Sequence, residues 1–314
     1  MAACPALDDE GIESPASAAP APGGSCRWCG RAFTSSATRL RERTLCARCG
    51  AATSDPVSEE ELDRAYAGWY RPDAGRFSGP GDALLRRSRA HLARRLDEIA
   101  PDGPVLDVGS GDGALLDALA ARGRSAIGLE RVSSRPDVRS GEVTEIEGPW
   151  AAIVLWHTLE HLGDAGAALD HLCSTLLPQG VVVIAMPNPD SLQARAFGDR
   201  WLALDLPRHR VHVPANSLLA RLRDLGLRIE RVSHLRGGQA VFGWLHGLVG
   251  SLPGHADLYD AIRRPDARSA PMSASTRAAV LAAAVVLLPV AATLALAEAA
   301  LRRGGSTYVE ARRV

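Results

Sequence analysis

"VLDVGSGDGALL", residues 105–116, decides the fold. Four residues, Val105 to Val108, read as a strand. Gly109, Gly111 and Gly113 break it, and "GALLDALAARG" then reads as a helix that stops at Gly123. Glycines let the backbone turn sharply and approach a ligand closely, with a helix N-terminus behind them. The next apolar run, "SAIGLE", ends on Glu130. A carboxylate there, about 20 residues after the loop, can accept hydrogen bonds from both hydroxyls of a ribose. Loop and acid together specify an adenosine-type cofactor.

The pattern of short apolar strands and amphipathic helices continues outward from this loop. A third strand is expected around "PDVRSGEV", a fourth at "AAIVLW" and, after the helix "DAGAALDHLCSTLL", a fifth at "GVVVIAMP". A helix over about 215–225 leads to a sixth, "LRIERVSHL". Strands separated by helices predict an α/β fold with a parallel sheet covered on both faces, ligands binding beyond the carboxyl ends of the strands. Upstream, residues 1–24 are rich in Ala, Pro, Ser and Gly and read as a disordered tail. Residues 56–100 carry helical spacing and read as a helical lid, with Asp55 placed to cap the first helix and Pro56 at its first position. The core is expected over 101–236, an apolar insert over 237–304, and a last strand over 305–314.

Composition narrows the chemistry. The 314 residues carry no formal net charge, so no global field argues for nucleic acid or an acidic membrane. Every basic residue except His is Arg, which excludes Schiff-base or lysine-base catalysis. The N-terminus shows no basic-then-apolar leader, and the clustered cysteines do not form a disulfide framework, so a reducing cytoplasm is expected.

Gly109-x-Gly111-x-x-Ala114 also satisfies a relaxed dinucleotide fingerprint. The third glycine at G-x-G-x-G spacing and Asp107 before the loop favour S-adenosylmethionine over NAD. The motifs "VLDVGSGDG", "GLE", "LWHTLEHL" and "LLPQGVVVIAMPN" resemble, in order and spacing, those of class I S-adenosylmethionine-dependent methyltransferases, over roughly residues 60–236 and the last strand. They look most like the quinone- and small-molecule-methylating branch. The resemblance implies a doubly wound, mostly parallel seven-stranded sheet. It implies that Gly109, Ser110 and Gly111 line the methionine part, with Asp107 and Gly113 also in the cofactor site, that Glu130 holds the ribose, and that Glu142 and Val143 face the adenine. Ala151 departs from the Asp that many relatives carry before the fourth strand, a position usually structural.

At the end of "AAIVLWHTLEHLGD", His157, Glu160 and His161 have i, i+3 and i, i+4 spacing and would share one face if the segment turns helically. "DLPRHRVHVP" supplies His209 and His212 at the same sheet edge. Three readings are open. An imidazole takes the proton of a hydroxyl acceptor. The group holds a second divalent ion, since Glu160, His161 and His212 resemble the ligands of small-RNA 3′-terminal 2′-O-methyltransferases, with His157 replacing a carboxylate. Or the side chains only brace the wall. Tyr66, Tyr70 and Arg71, in "YAGWYRPDAGRF", would close the pocket or merely pack.

Cys26-x2-Cys29 and Cys46-x2-Cys49 are two knuckles separated by 16 residues, the spacing of a structural Zn²⁺ ribbon over 25–52; a redox dithiol is the alternative. Its six Arg invite an RNA-binding reading, but Trp28 and Phe33 are its only aromatics. Residues 278–297 are twenty uncharged residues between Arg277 and Arg302–Arg303. They are long enough to span a bilayer, yet the last strand after them must return to the sheet. The insert is therefore expected as an interfacial hairpin bent at Pro289, a lid over the acceptor site, or a homodimer interface. The sequence as a whole predicts O-methylation of a small lipophilic or lipid-linked acceptor, by a cytoplasmic enzyme peripheral to the membrane. An RNA methyltransferase and a non-catalytic cofactor-binding scaffold are the alternatives.

Overall fold

The computed structural model describes residues 24–67, 81–235, 238–254 and 257–314. The expected tail up to residue 23, and Tyr70 and Arg71, lie outside the described residues.

The centre is a seven-stranded sheet. Its strands are β4 (Val105–Val108), β5 (Ala126–Glu130), β6 (Val138–Ser140), β7 (Trp150–Trp156), β8 (Leu176–Pro187), β10 (Leu227–Ser233) and β11 (Ser306–Arg313). They lie in the order β10-β11-β8-β7-β4-β5-β6. β4 pairs in parallel with both β5 and β7, and β11 runs antiparallel between β8 and β10. Strand order therefore reverses at β4, where α/β sheets open a crevice for ligands. The expected third strand shrinks to three residues, and the fifth begins earlier, at Leu176.

β7 shows why the sheet is buried on both faces. Ile153 and Leu155 enter a core with Leu169 and Leu172 of α4 (Ala165–Ser174) and Leu218 and Leu222 of α6 (Ala215–Asp224). Ala152 and Val154 enter a second core with Leu92 and Leu96 of α2 (Gly81–Ile99) and Leu115 and Leu119 of α3 (Ala114–Ala120). A strand that is apolar at every position, rather than alternating, follows from this two-sided burial. Arg95 on α2 forks onto Glu310 of β11 at 3.0 and 2.8 Å, tying the N-terminal helix to the last strand.

The cysteine module is not a separate bead. Its strands β1 (Thr38–Leu40), β2 (Arg43–Leu45) and β3 (Ala52–Ser54) form a small sheet completed by β9 (Val211–His212), which comes from the core chain. The sheet thus runs past the expected boundary at residue 52. Trp28, Cys26 and Cys46 are buried in the same core cluster as α4 and α6. Gly166 is required there: a Cβ would sit 2.1 Å from the Trp28 carbonyl oxygen.

The insert folds as α7 (Gly238–Gly250), α8 (Leu258–Ile262) and α9 (Ala274–Ala300). α9 remains helical on both sides of Pro289. Thr293 donates its hydroxyl to the Pro289 carbonyl at 2.9 Å. One side of α9 packs on α7 through Ala291 and Ala295. The other leaves Val285 and Val286 more than 70% exposed. Only 22% of its most apolar 18-residue window is buried. At the insert's base, Glu298 is fully buried and accepts from Gln193 Nε2 at 2.7 Å and from the Gly305 amide at 3.1 Å.

Candidate active site

The glycine loop lies at the carboxyl end of β4. Gly109, Gly111 and Gly113 have φ of 76°, 60° and 75°, a region that costs other residues energy. At Gly109 there is no room either, because a Cβ would meet Thr158 Oγ1 at 2.2 Å. The Gly109 amide donates to the Leu129 carbonyl at 2.7 Å, binding the loop to β5. Glu130, ending β5, accepts from the Gly111 amide at 2.9 Å and from the Arg131 amide at 3.0 Å. The carboxylate is thereby held at the rim of the loop with lone pairs to spare. Ser110 and Asp107 are buried behind it. Burial pushes the Asp107 carboxyl up to about 7; the Arg89 charge opposes this, and Glu130 and Asp112 add to it. Glu142 is exposed just beyond β6, and Val143 turns its side chain into the core, so only the Val143 backbone is free to face a ligand.

The histidine cluster sits beyond β7, next to this loop. The segment does not turn helically at His157, which has φ 54°; a short 3-10 turn begins only at Leu159. His157 Nδ1 nevertheless lies 3.2 Å from Glu160 Oε1, and its Nε2 lies 2.9 Å from Gln239 Nε2 of α7. Glu160 is 1% exposed, and its Oε2 has no hydrogen-bond partner among the described residues. Burial pushes its carboxyl up, but the His157 hydrogen bond and the neighbouring imidazoles outweigh this and hold it at about 2.

His209, not His212, completes the cluster. One donor atom each from Glu160, His161 and His209 lie within 4.8 Å of one another. The rings of His161 and His209 stand edge to face, 4.6 Å apart. His209 Nδ1 donates to the Ala203 carbonyl at 2.9 Å, which leaves its Nε2 as a lone pair 3.9 Å from Glu160 Oε1 and 3.6 Å from Asp205 Oδ2. Burial, and then the neighbouring His161, hold His209 well below the usual imidazole range, so it is neutral at pH 7. His161 Nδ1 donates to the Arg208 carbonyl at 3.0 Å, and Tyr66 Oη lies 3.1 Å from the same Nδ1. Lone pairs converging on a buried carboxylate repel unless a cation or proton lies among them. His212 instead pairs its Nε2 with Ser54 Oγ at 3.0 Å. Alternation along the two-residue β9 turns it toward the cysteine module.

In that module all four Sγ atoms lie within 4.8 Å of one another, with Cys26–Cys49 at 3.6 Å and Cys29–Cys46 at 3.8 Å. A tetrahedral ion with metal–sulfur bonds of about 2.3 Å requires sulfur–sulfur edges of about 3.8 Å. The two knuckles repeat one geometry. The amides of Gly30 and Gly50, both at φ near 70°, donate to the Cys26 and Cys46 carbonyls. Trp28 is 2% exposed with the Arg221 guanidinium over its ring, so it offers no face for base stacking.

Residues 83–232 match the methyltransferase domain family. With the strand order, the glycine loop and the acid at the end of β5 in place, the assignment is direct. This chain carries a class I S-adenosylmethionine-dependent methyltransferase domain. Curated relatives include the ubiquinone biosynthesis O-methyltransferase of Xylella fastidiosa (strain 9a5c). It is 28% identical over 210 residues, spanning 57% of this chain and 82% of the relative. The protein of that name from Xanthomonas campestris pv. campestris (strain B100) is 26% identical over 209 residues, spanning 58% and 85%. Similar solved structures include a SAM-dependent methyltransferase from Archaeoglobus fulgidus, 19% identical, covering 72% of this chain and 94% of that one, TM-score 0.43. Another is the magnesium protoporphyrin IX methyltransferase from Synechocystis PCC 6803, 17% identical, covering 55% and 85%, TM-score 0.39. The methyltransferase's cofactor is thus S-adenosylmethionine. Two contributors escaped the sequence reading: Gln239, within reach of His157, and Asp205, in the left-handed region at φ 41° beside His209.

Proposed function

We propose that the methyltransferase transfers the S-adenosylmethionine methyl group to a hydroxyl of a lipophilic acceptor. The observation that carries this is the buried Glu160–His161–His209 cluster, with its unpartnered carboxylate oxygen, beside the glycine loop. In this reading Asp107, Gly109, Ser110, Gly111 and Gly113 hold the methionine part, Glu130 the ribose, and the Glu142–Val143 backbone lies toward the adenine. The acceptor oxygen attacks the methyl carbon as the carbon–sulfur bond breaks, and the bond's electrons stay on sulfur. The hydroxyl proton leaves to the neutral imidazole of His209, whose charge the Glu160 carboxylate balances, with His161 beside it. The chain's contribution is mainly positioning, with proton removal worth on the order of 10²-fold or more.

Alternatively, the converging lone pairs favour a divalent cation on Glu160, His161 and His209; when bound, it would lower the pKa of the acceptor hydroxyl, and these imidazoles would then be its ligands and not the base. In the cysteine module we infer structural Zn²⁺ on Cys26, Cys29, Cys46 and Cys49, supported by the tetrahedral sulfur edges.

Lipophilicity of the acceptor is supported by the names of the curated relatives and by the exposed apolar face of α9. α9 carries Arg277 in its first turn and is followed by Arg302, and both its ends return to the folded chain. We infer that α9 lies on the membrane surface rather than crossing it, with the enzyme on the cytoplasmic side. A homodimer burying the same face is the competing outcome, read by sedimentation. The test is methyl-tritiated cofactor incubated separately with polyprenyl phenols and catechols, polar metabolites and RNA. Label is expected in the lipid arm; label in the RNA arm alone would overturn the reading.

A further inference from the structure

The cysteine module touches both halves of the histidine cluster. The first knuckle grips the segment after His161: the Gly166 amide donates to the Arg27 carbonyl at 3.0 Å, and the Arg27 guanidinium donates to the Gly163 carbonyl. The second knuckle runs within a few residues into β3, and β3 grips the loop that carries His209. Ala52 pairs with His212 and Thr53 with Val211. The Ser54 amide donates to the Arg210 carbonyl at 3.1 Å, and the Arg210 amide donates on to the Glu160 carbonyl at 2.7 Å. A single residue, Arg210, thus lies between the module and the backbone of Glu160. Ser54 adds a side-chain link, its hydroxyl donating to the His209 carbonyl at 2.7 Å. That commits the hydroxyl proton, so the His212 Nε2–H must donate to Ser54 Oγ. β9 pairs only with β3 in its sheet. Among the described residues the 208–212 loop has no other strand to fix it, and besides β3 it is held by the His161–Arg208 and Arg210–Glu160 hydrogen bonds. The first knuckle also binds β3, through Arg27 N–H donating to Thr53 Oγ1 at 3.1 Å.

We propose that the cysteine module is a clamp for the acceptor site. By closing its two knuckles on one ion, it sets the separation between Glu160–His161 and His209, with Ser54 as the positioning residue that transmits it. This rests on the reading that these three side chains face the acceptor; the linkage itself does not. It separates two roles within one chain: the glycine loop and Glu130 bind the cofactor without the module, whereas acceptor geometry depends on it. Displacing a positioned group by about 1 Å costs on the order of 10²-fold in rate.

The test uses full-length protein labelled with ¹⁵N-histidine. Wild type, Ser54→Ala, Ser54→Thr and Cys29→Ser are compared by long-range ¹H–¹⁵N spectra, and cofactor affinity is measured by calorimetry. His209 and His212 are expected to show fixed neutral tautomers in wild type, Nδ1–H and Nε2–H respectively. In Ser54→Ala, His212 loses its fixed Nε2–H form and the His209 signals shift, while zinc content stays at one per chain. Ser54→Thr, which keeps the hydroxyl, restores the wild-type signals. Cys29→Ser moves both histidines further. His171, bonded to the Ile146 carbonyl 2.9 Å away, serves as control and stays put. Cofactor affinity changes less than about twofold throughout, and methyl transfer in the lipid arm falls at least tenfold. Unmoved His209 and His212 signals in folded Ser54→Ala would overturn the proposal, even if Cys29→Ser does not fold. Absence of turnover with any acceptor would instead strike the functional reading and leave the tautomer result intact.

Discussion

Asp107→Asn isolates the electrostatic state of the cofactor site. Asp107 lies in the strand end that feeds the glycine loop, wholly buried, with its carboxyl raised to about 7 from an ordinary 3.8, chiefly by burial. A carboxyl raised in the folded state binds more protons folded than unfolded between those two values. Stability therefore falls as pH rises through that window and stays lower above pH 7. The difference converts to about 4 kcal/mol at ~1.36 kcal/mol per pH unit. Asparagine is nearly isosteric and never ionises. Cofactor-free Asp107→Asn should already exceed wild type by about 1.6 kcal/mol at pH 5 and by about 4 kcal/mol at pH 8.5, so its Tm advantage should widen by roughly 5–10 °C at about 2–4 °C per kcal/mol. Cofactor binding should move the other way. The proposed site sets a cationic methionine headgroup near an ionised Asp107, so wild-type affinity rises between pH 6 and 8, by at most about tenfold per pH unit. The variant should show a flat, weaker profile. Thermal melts of apo protein and calorimetry across pH measure both. An equal Tm difference at pH 5 and 8.5, or a variant that binds as tightly as wild type at pH 8, would refute the reasoning.

Other perturbations probe the remaining parts. Glu160→Gln keeps shape but removes the buried charge, and kcat should drop on the order of 10²-fold with cofactor affinity unchanged; retained turnover speaks for a bracing role alone. Wild type should also lose stability as pH falls from about 4.5 toward 2, because Glu160 ionises at about 2 in the fold, and melts of Glu160→Gln should lack that component. Gly166→Ala drives a methyl into the Trp28 carbonyl and should cost about 1–3 kcal/mol in chemical denaturation while zinc stays bound. Val285→Glu with Val286→Glu places charges on the exposed face of α9; co-flotation with anionic vesicles should vanish while the melting curve is unaltered.

Much of the fold was legible because its signals are local. The glycine loop, the acid ending β5 and the uniformly apolar β7 each state their role within a dozen residues. The antiparallel last strand was legible through the resemblance to the methyltransferase family, whose fold pairs such a strand with the sixth, and it in turn argued against a lone crossing of the membrane. What was missed depends on contacts distant in sequence. His212 and His209 lie three residues apart, and which of them meets Glu160 is set by pairing between β9 and β3, a two-residue strand without periodicity. His157 was expected on a helical face, but its positive φ has no signature in a non-glycine residue. The exposure of α9 was equally hidden: an unbroken apolar run reads alike whether it faces protein or lipid. Docking of the cysteine module hinges on Gly166, a small residue inside an ordinary helical pattern.

The central claim is that the loop from Gly109 to Gly113 and the carboxylate of Glu130 form the cofactor site. Calorimetric titration of S-adenosylmethionine into the full-length protein and into Glu130→Ala tests it most directly. The account predicts one site per chain in wild type and at least tenfold weaker binding in Glu130→Ala, with both proteins melting normally. Undiminished binding by folded Glu130→Ala, or no binding by wild type, would contradict it.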